Sequence, residues 1–208
     1  MARHCTMIQK ATGWPAALAL IDSMAGTEAG DRAYREACGT CAAFLERYRG
    51  CHGIHRGHVT AAIGIGAIYG PLKACVGEET AIATLADAMK PASMKKHAKL
   101  EKLPVPLFMR VALLVTSVMY SEKAGFKRRW HGNTNVERRY DLLTCPYVQV
   151  LTEMGCPEAC RCICIQDDYA FCNMSNGVEF LRTKTLGRGG DCCDFGFRNG
   201  RKKEGSKA

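Results

Sequence analysis

The composition of the chain changes at Gly125, and this break constrains the fold more than any other feature. On its N-terminal side Ala, Leu, Met, Glu and Arg dominate and apolar residues recur every three or four positions, a spacing that predicts helices. On its C-terminal side short apolar segments alternate with glycine- and asparagine-containing turns, which predicts strands. We therefore expect an α+β protein, with a helical N-terminal layer packed on a small antiparallel sheet.

Three segments of the first half carry the clearest helical pattern. They are residues 31–49, with Asp31 as N-cap, residues 78–89, and residues 104–121, which Pro104 opens. The apolar run at residues 62–69 contains Gly64 and Gly66, and we expect it to be short and flexible.

The second half predicts two hairpins with two short helices between them. The first hairpin pairs residues 126–130 with 136–143 around the turn at 131–135, and helices follow at 145–154 and 157–166. The second hairpin joins residues 178–186 to 192–198 through the glycine-rich turn at 187–190. Alternation along its last strand puts Cys193, Phe195 and Phe197 on one face.

At 208 residues the length suits one domain. Within it we distinguish a helical region at residues 1–124, a cysteine-rich α+β region at 125–198, and a basic tail at 199–208 that we expect to be disordered.

The net charge of +9 suits an anionic partner, for which we favour a small-molecule carboxylate. No RNA- or DNA-binding signature surrounds the basic clusters, so a nucleic-acid partner is not predicted. The longest apolar stretch, residues 104–120, is short for a bilayer and contains Arg110, so no membrane span is predicted. A homo-oligomer stays open.

The sequence contains thirteen cysteines and no secretory pattern near its start. We expect a reducing compartment, the cytoplasm, where cysteines act as metal ligands, nucleophiles or small core residues rather than as a disulfide framework.

Zinc or an iron–sulfur cluster is the alternative to a metal-free site. Cys38 and Cys41 have ligand spacing, three histidines recur every third residue after Cys51, and four cysteines lie within residues 156–164. However, Cys38 and Cys41 fall inside a helical pattern, and the histidines His52, His55 and His58 are expected on a solvated interhelical loop. We therefore predict neither a metal nor an organic cofactor.

Four motifs follow one another in the last third of the chain. Cys145 precedes Pro146, Cys164 and Asp167 form Cys-x-x-Asp, residues 182–186 read Arg-Thr-Lys-Thr-Leu, and residues 193–195 read Cys-Asp-Phe after a glycine turn. This order resembles the C-terminal signature of the L-2-amino-thiazoline-4-carboxylic acid hydrolase family. The resemblance covers about the last seventy residues and is looser over the helical half.

This resemblance implies hydrolytic opening of a cyclic amidine. Water adds at C2 of the thiazoline, the carbon–sulfur bond breaks, and N-carbamoyl-L-cysteine results. The reaction needs a nucleophile or an activated water, a group that handles protons, and a cation for the substrate carboxylate.

Cys193 is the nucleophile that we favour, because it lies on a predicted strand, with Cys145 and Cys164 as competitors. Each of the three can equally be a packed core thiol. Arg182 is the candidate for the substrate carboxylate, since its guanidinium binds carboxylates in a bidentate manner. Thr183, beside it, is a candidate substrate contact whose β-branched side chain also suits a sheet.

The carboxylates complete the candidate site. Asp167 and Asp168 are adjacent and can raise one another's pKa, which would leave one of them able to carry a proton near neutrality. Asp194 can orient a base or hold the substrate amino group. Solvent exposure is the competing interpretation for all three.

Two other function classes remain open. One is a metal- or redox-dependent cysteine enzyme. The other is a small-molecule sensor, because a domain that ends in a glycine turn and a cysteine-containing strand also resembles ligand-binding domains of the 4-vinyl reductase type.

Overall fold

The computed structural model describes residues 6–134 and 136–200. Helices make up most of these residues, and a four-stranded antiparallel sheet follows them in the chain. The predicted α+β class is confirmed. The helices are α1 Thr6–Lys10, α2 Trp14–Ala25, α3 Thr27–Arg47, α4 Gly53–Val76, α5 Glu78–Leu100, α6 Val105–Met119, α7 Pro146–Glu153 and α8 Cys160–Phe171, and the strands are β1 Arg128–Asn133, β2 Glu137–Leu142, β3 Val178–Leu181 and β4 Cys193–Asn199.

Helix α4 corrects the prediction of a short, flexible run at residues 62–69 and of a histidine loop before it. It is a continuous helix of 24 residues at the centre of the largest core cluster. Its glycines serve close packing, since a Cβ at Gly66 would lie 2.6 Å from the sulfur of Met154 and 3.0 Å from Leu151. Absence of a side chain here lets α7 approach the backbone of α4.

The other predicted helices form, with changed boundaries. Asp31 lies inside α3 rather than at its N-cap, because the helix begins at Thr27. Helix α5 continues through Pro91 to Leu100, beyond the predicted end at residue 89. It packs along α8, where the Gln166 side chain donates to the carbonyl of Ala86 (3.0 Å) and accepts from the Ser93 hydroxyl (2.8 Å). Tertiary packing therefore outweighs the local effect of the proline.

The two predicted hairpins belong to one sheet, with strand order β1-β2-β4-β3. β1 extends through His131 and Gly132 to Asn133, which the sequence had placed in the turn, and its register with β2 shifts between Trp130 and Gly132. β2 pairs antiparallel with β4, so Tyr140 lies opposite Phe195 and their rings stack 5.7 Å apart.

β3 is shorter than predicted and ends at Leu181. The carboxylate of Asp194 accepts the backbone N–H groups of Thr183 and Lys184 at 2.9 and 2.8 Å, so these groups leave the ladder while remaining paired. β4 has the predicted length of seven residues but lies one position further along the chain, ending at Asn199, whose N–H donates to the carbonyl of Val136. The rest of the predicted disordered tail, residues 201–208, lies outside the described residues.

Helix α4 is also the one helix in residues 6–134 and 136–200 that is long and apolar enough to cross a membrane. Half of its most apolar window is buried against the rest of the protein, and core helices of soluble proteins satisfy the same criterion.

Candidate functional site

A cavity of about 290 Å³ lies between α4, α6 and α8 on one side and the sheet on the other. Its volume is close to the lower end of pockets that hold small ligands. Apolar side chains and sulfur atoms form much of its wall. The polar and sulfur-bearing residues that line it are His58, Lys96, Met119, Tyr120, Cys145, Tyr147, Cys160, Cys164, Gln166, Asp167, Arg182, Thr185 and Cys193.

Three thiols form a connected group in this cavity. The sulfur atoms of Cys160 and Cys164 lie 3.9 Å apart on successive turns of α8. Cys145, the residue that precedes α7, lines the same cavity. Interaction with the Cys160 thiol lowers the pKa of Cys145, and interaction with Cys145 and Cys164 raises the pKa of the Cys160 thiol far above its usual range. Cys160 therefore stays protonated and stabilises a thiolate on a neighbour.

Cys164 has the surroundings that a reactive thiolate needs. The hydrogen bond from Cys160 lowers its pKa to about 7 against the opposing effect of burial, and the Thr185 hydroxyl and the Arg182 guanidinium act in the same downward direction. The Thr185 hydroxyl is buried and makes no hydrogen bond of normal geometry with a described residue, so its effect is that of a nearby dipole.

Cys193, the nucleophile that the sequence favoured, lies in the same cavity under different conditions. Burial raises the pKa of its thiol to about 12, although the backbone N–H of Leu186 donates to its sulfur at 3.2 Å. Its alternation with Phe195 and Phe197 holds, and all three are buried. The geometry favours the neutral thiol at Cys193 and the thiolate at Cys164.

The predicted carboxylate and arginine residues form one ion-paired group. The guanidinium of Arg182, only 4% exposed, donates to Asp167 at 3.2 Å, to Asp168 at 2.5 Å and to the carbonyl of Cys164 at 2.8 Å. These internal acceptors take up three of the five N–H donors of the guanidinium that was expected to bind the substrate carboxylate. Arg182 instead joins β3 to α8 and fixes the position of Cys164.

Asp167 is the carboxylate of this group that lines the cavity. Burial raises the pKa of its carboxyl, and the charges of Arg182 and Lys96 oppose that rise. The side chain of Asp167 is still 24% exposed, and this residue is among those that line the cavity. From the sequence, the charge of the neighbouring Asp168 was expected to raise the pKa of Asp167. In the structure, that charge raises the pKa of Asp167 less than burial does.

Two predicted residues have structural partners instead of facing the cavity. Asp194 accepts from the backbone N–H of Thr183 and from its hydroxyl, at 2.9 and 2.6 Å. These hydrogen bonds lower the pKa of Asp194 in spite of its partial burial. Neither residue is among those that line the cavity. Together they fix the point at which the chain leaves β3.

Sequence reasoning placed His58 on a solvated loop, and the structure buries it in α4, where it lines the cavity. Its Nε2 lies 3.0 Å from the carbonyl of Met119, and its Nδ1 lies 3.0 Å from the hydroxyl of Tyr147. Because a carbonyl only accepts, Nε2 carries the proton and Nδ1 accepts from Tyr147. Burial lowers the pKa of His58, which favours this neutral form.

Lys96, also missed from the sequence, supplies a cation at the cavity wall. Its ammonium lies 4.3 Å from the centre of the Phe171 ring. Partial burial of that ammonium lowers the pKa of Lys96 although the residue as a whole is exposed, and the charge of Asp167 opposes the shift. Lys96 belongs to no sequence motif, so the sequence gave no signal for this role.

In residues 6–134 and 136–200, no group of three or more His, Cys, Asp or Glu side chains is arranged so that it could hold a metal ion. Cys38 and Cys41 lie within α3, as the helical pattern indicated.

The comparison with protein families extends the resemblance well beyond the C-terminal motifs. The sequence profile of the L-2-amino-thiazoline-4-carboxylic acid hydrolases matches residues 56–197. The chain belongs to this family. The matched region of the hydrolase family starts in α4 and includes every residue that lines the cavity. No curated protein and no solved structure matches the chain.

Proposed function

We propose that this protein hydrolyses L-2-amino-thiazoline-4-carboxylate, or a related small cyclic amidine, to N-carbamoyl-L-cysteine or the corresponding product. One observation carries the proposal. A cysteine with a lowered pKa (Cys164), a carboxyl with a raised pKa (Asp167) and a cation (Lys96) line the same cavity. These are the three groups that the reaction needs.

Cys164 begins the reaction in this mechanism. Its thiolate forms a bond to C2 of the thiazoline, the bond between C2 and the ring sulfur breaks, and the ring sulfur takes the proton that Asp167 holds. The result is an isothiourea attached to Cys164 and a free substrate thiol. The Cys160 thiol, 3.9 Å away, stabilises the attacking thiolate without being consumed.

Water completes the reaction at the same carbon. The Asp167 carboxylate takes a proton from water as the water oxygen bonds to the isothiourea carbon. The carbon–sulfur bond to Cys164 then breaks, and Cys164 leaves as a thiolate. Transfer of the hydroxyl proton to nitrogen gives the carbamoyl group, so that both protein groups return to their starting forms.

Lys96 binds the substrate carboxylate in this proposal, in place of Arg182, whose guanidinium is held by Asp167 and Asp168. The hydroxyl of Tyr147 donates to His58, which leaves its oxygen to accept a hydrogen bond from the substrate amino group. The His58 ring thus positions Tyr147 and does not transfer a proton.

Turnover of L-2-amino-thiazoline-4-carboxylate tests the proposal. Anaerobically purified protein is incubated with the compound, N-carbamoyl-L-cysteine is measured by mass spectrometry, and metal content is determined on the same sample. We expect product from metal-free wild type and from the control Cys75→Ser, which changes a cysteine outside the cavity, and none from Cys164→Ala. Product that appears only with stoichiometric zinc or iron would favour the metal-dependent alternative. Tight binding without product would favour the sensor.

A further inference from the structure

A second, smaller cavity opens beside the candidate site under helix α6. Its volume is about 70 Å³, and we call it the side cavity. It lies between α6 and the face of the sheet that carries Phe195 and Phe197. The two cavities share four lining residues, Lys96, Val115, Tyr120 and Phe195.

The side cavity has an apolar wall. Phe108, Val111 and Ala112 line it from α6, and Phe171 and Phe197 line it from α8 and β4. Apolar cavities of this kind stay dry and take up apolar groups. Four residues with polar groups interrupt the wall, namely Lys96, Thr116, Tyr120 and Tyr140. The buried Tyr140 hydroxyl makes no hydrogen bond with a described residue.

The candidate site is also larger than the compound that names the family. L-2-amino-thiazoline-4-carboxylate is one five-membered ring with an amino group and a carboxylate, whereas a cavity of about 290 Å³ approaches the size of pockets for much larger ligands. C2 of this compound carries the amino group and C4 carries the carboxylate, so carbon 5 is the ring carbon that remains free for a further substituent. Lys96, to which the proposal assigns the carboxylate, lines both cavities.

We propose that the substrate is a 2-amino-thiazoline-4-carboxylate that carries a short alkyl chain on ring carbon 5, with this chain seated in the side cavity. The proposal rests on the proposed function, whose bond-breaking steps it leaves unchanged. A cavity of about 150 Å³ accommodates benzene, so a cavity of about 70 Å³ suits two or three carbon atoms and excludes an aromatic ring.

Substrates of graded size test the proposal in the full-length protein. Values of kcat/KM are measured for thiazolines that carry hydrogen, ethyl, propyl or phenyl on carbon 5. We expect propyl to exceed hydrogen by about tenfold or more, which is the discrimination that apolar pockets achieve for small alkyl differences, and we expect phenyl to fall below propyl. Equal values for hydrogen, ethyl and propyl would overturn the proposal while leaving the proposed function intact.

Filling the side cavity should remove the preference. Ala112→Phe places a ring in the side cavity and should bring propyl down to the level of hydrogen, with kcat/KM for hydrogen within about twofold of wild type. Val111→Phe is the second variant if Ala112→Phe does not fold. Leu114→Phe is the matched control, because Leu114 is on the same helix and 68% exposed. A preference that survives in both folded cavity variants would overturn the proposal.

Binding of a simple probe separates the two proposals. Isothermal titration calorimetry compares pentanoate, which has the carboxylate and the alkyl chain, with acetate, which lacks the chain. We expect pentanoate to bind wild type and Leu114→Phe but not Ala112→Phe. If pentanoate binds but no thiazoline is turned over, the proposed function is contradicted, while the proposal that the side cavity binds an alkyl chain stands. If acetate and pentanoate bind equally well, the proposal about the side cavity is contradicted.

Discussion

The thiol of Cys160 lies 3.9 Å from the sulfur of Cys164, one turn away on α8. Residues four positions apart on a helix share a face, and Gly187 packs directly over this pair. A Cβ at Gly187 would lie 2.8 Å from each of the two sulfur atoms. The pair is thus held between a helix and a glycine, and one of its members is stabilised as a thiolate.

The alkylation rate of Cys164 should follow the fraction of thiolate. With a pKa of about 7, the rate with iodoacetamide should rise as the pH increases through 7 and level off above it. Cys160→Ala removes the hydrogen bond that lowers this pKa and should move the midpoint upward. Peptide mass spectrometry measures the rate at each cysteine. A midpoint near 8.5, the value of an ordinary thiol, in wild type and variant alike would contradict the thiolate assignment.

Removal of Arg182, whose side chain is almost fully buried, should destabilise the protein. Arg182→Met leaves the Asp168 carboxylate without its cation and the Cys164 carbonyl without its donor, and breaking a buried pair in this way costs about 3 kcal/mol. Arg161→Met is the control, since its partner Glu79 is 75% exposed and exposed pairs contribute about 1 kcal/mol or less. Urea denaturation measures both. Equal losses in the two variants would show that the Arg182 group is not structural.

Two glycine substitutions should have opposite effects. Gly187→Ala forces a methyl group against Cys160 and Cys164, and such overpacking costs about 1–3 kcal/mol. Gly39→Ala in α3 meets no atom within 4 Å and should stabilise the helix by about 0.5–1 kcal/mol. Thermal unfolding followed by circular dichroism measures both changes. Stabilisation by Gly187→Ala would mean that the turn does not rest on the thiol pair.

The buried His58 should make stability depend on pH. Burial lowers its pKa in the folded state, so the unfolded chain binds a proton at a higher pH than the folded protein does. Its contribution is fully present above about 6.5, the pKa of an unperturbed histidine, and is lost as the pH falls below that value. Urea midpoints between pH 7.5 and 5 compare wild type with His58→Gln. The variant should lose less stability on acidification, and parallel curves would contradict a buried neutral histidine.

The parts of the fold that follow local sequence rules were predictable. The strand that carries Cys193 alternates as its pattern indicated, and the two short helical segments predicted after residues 145 and 157 begin close to those positions. Helix α4 was not predictable in this way, because the reason for Gly66 is the approach of Met154 from another element. From the local sequence alone, such a glycine is interpreted as a flexible position in the chain.

Most residues of the candidate site could be predicted from the sequence, but the role of each residue could be predicted only in part. The signature contained Cys145, Cys164, Asp167, Arg182 and Cys193, and the structure brings these together around one cavity. Which thiol ionises depends on contacts with Cys160 and on burial, and neither is visible in a motif. Likewise, the pairing of Arg182 with Asp167 depends on how β3 lies against α8. His58 and Lys96 come from helices without a motif, so only the packed fold could reveal them.

The most direct test of the account is the identity of the residue that becomes covalently attached to substrate. Protein mixed with L-2-amino-thiazoline-4-carboxylate is quenched in acid within milliseconds, digested and analysed by mass spectrometry. The account predicts that the whole mass of the substrate is added to the peptide containing Cys164, and that the adduct is absent in Cys164→Ser and retained in Cys75→Ser. An adduct on Cys193 or Cys145, or turnover without any adduct and undiminished in Cys164→Ser, would contradict it.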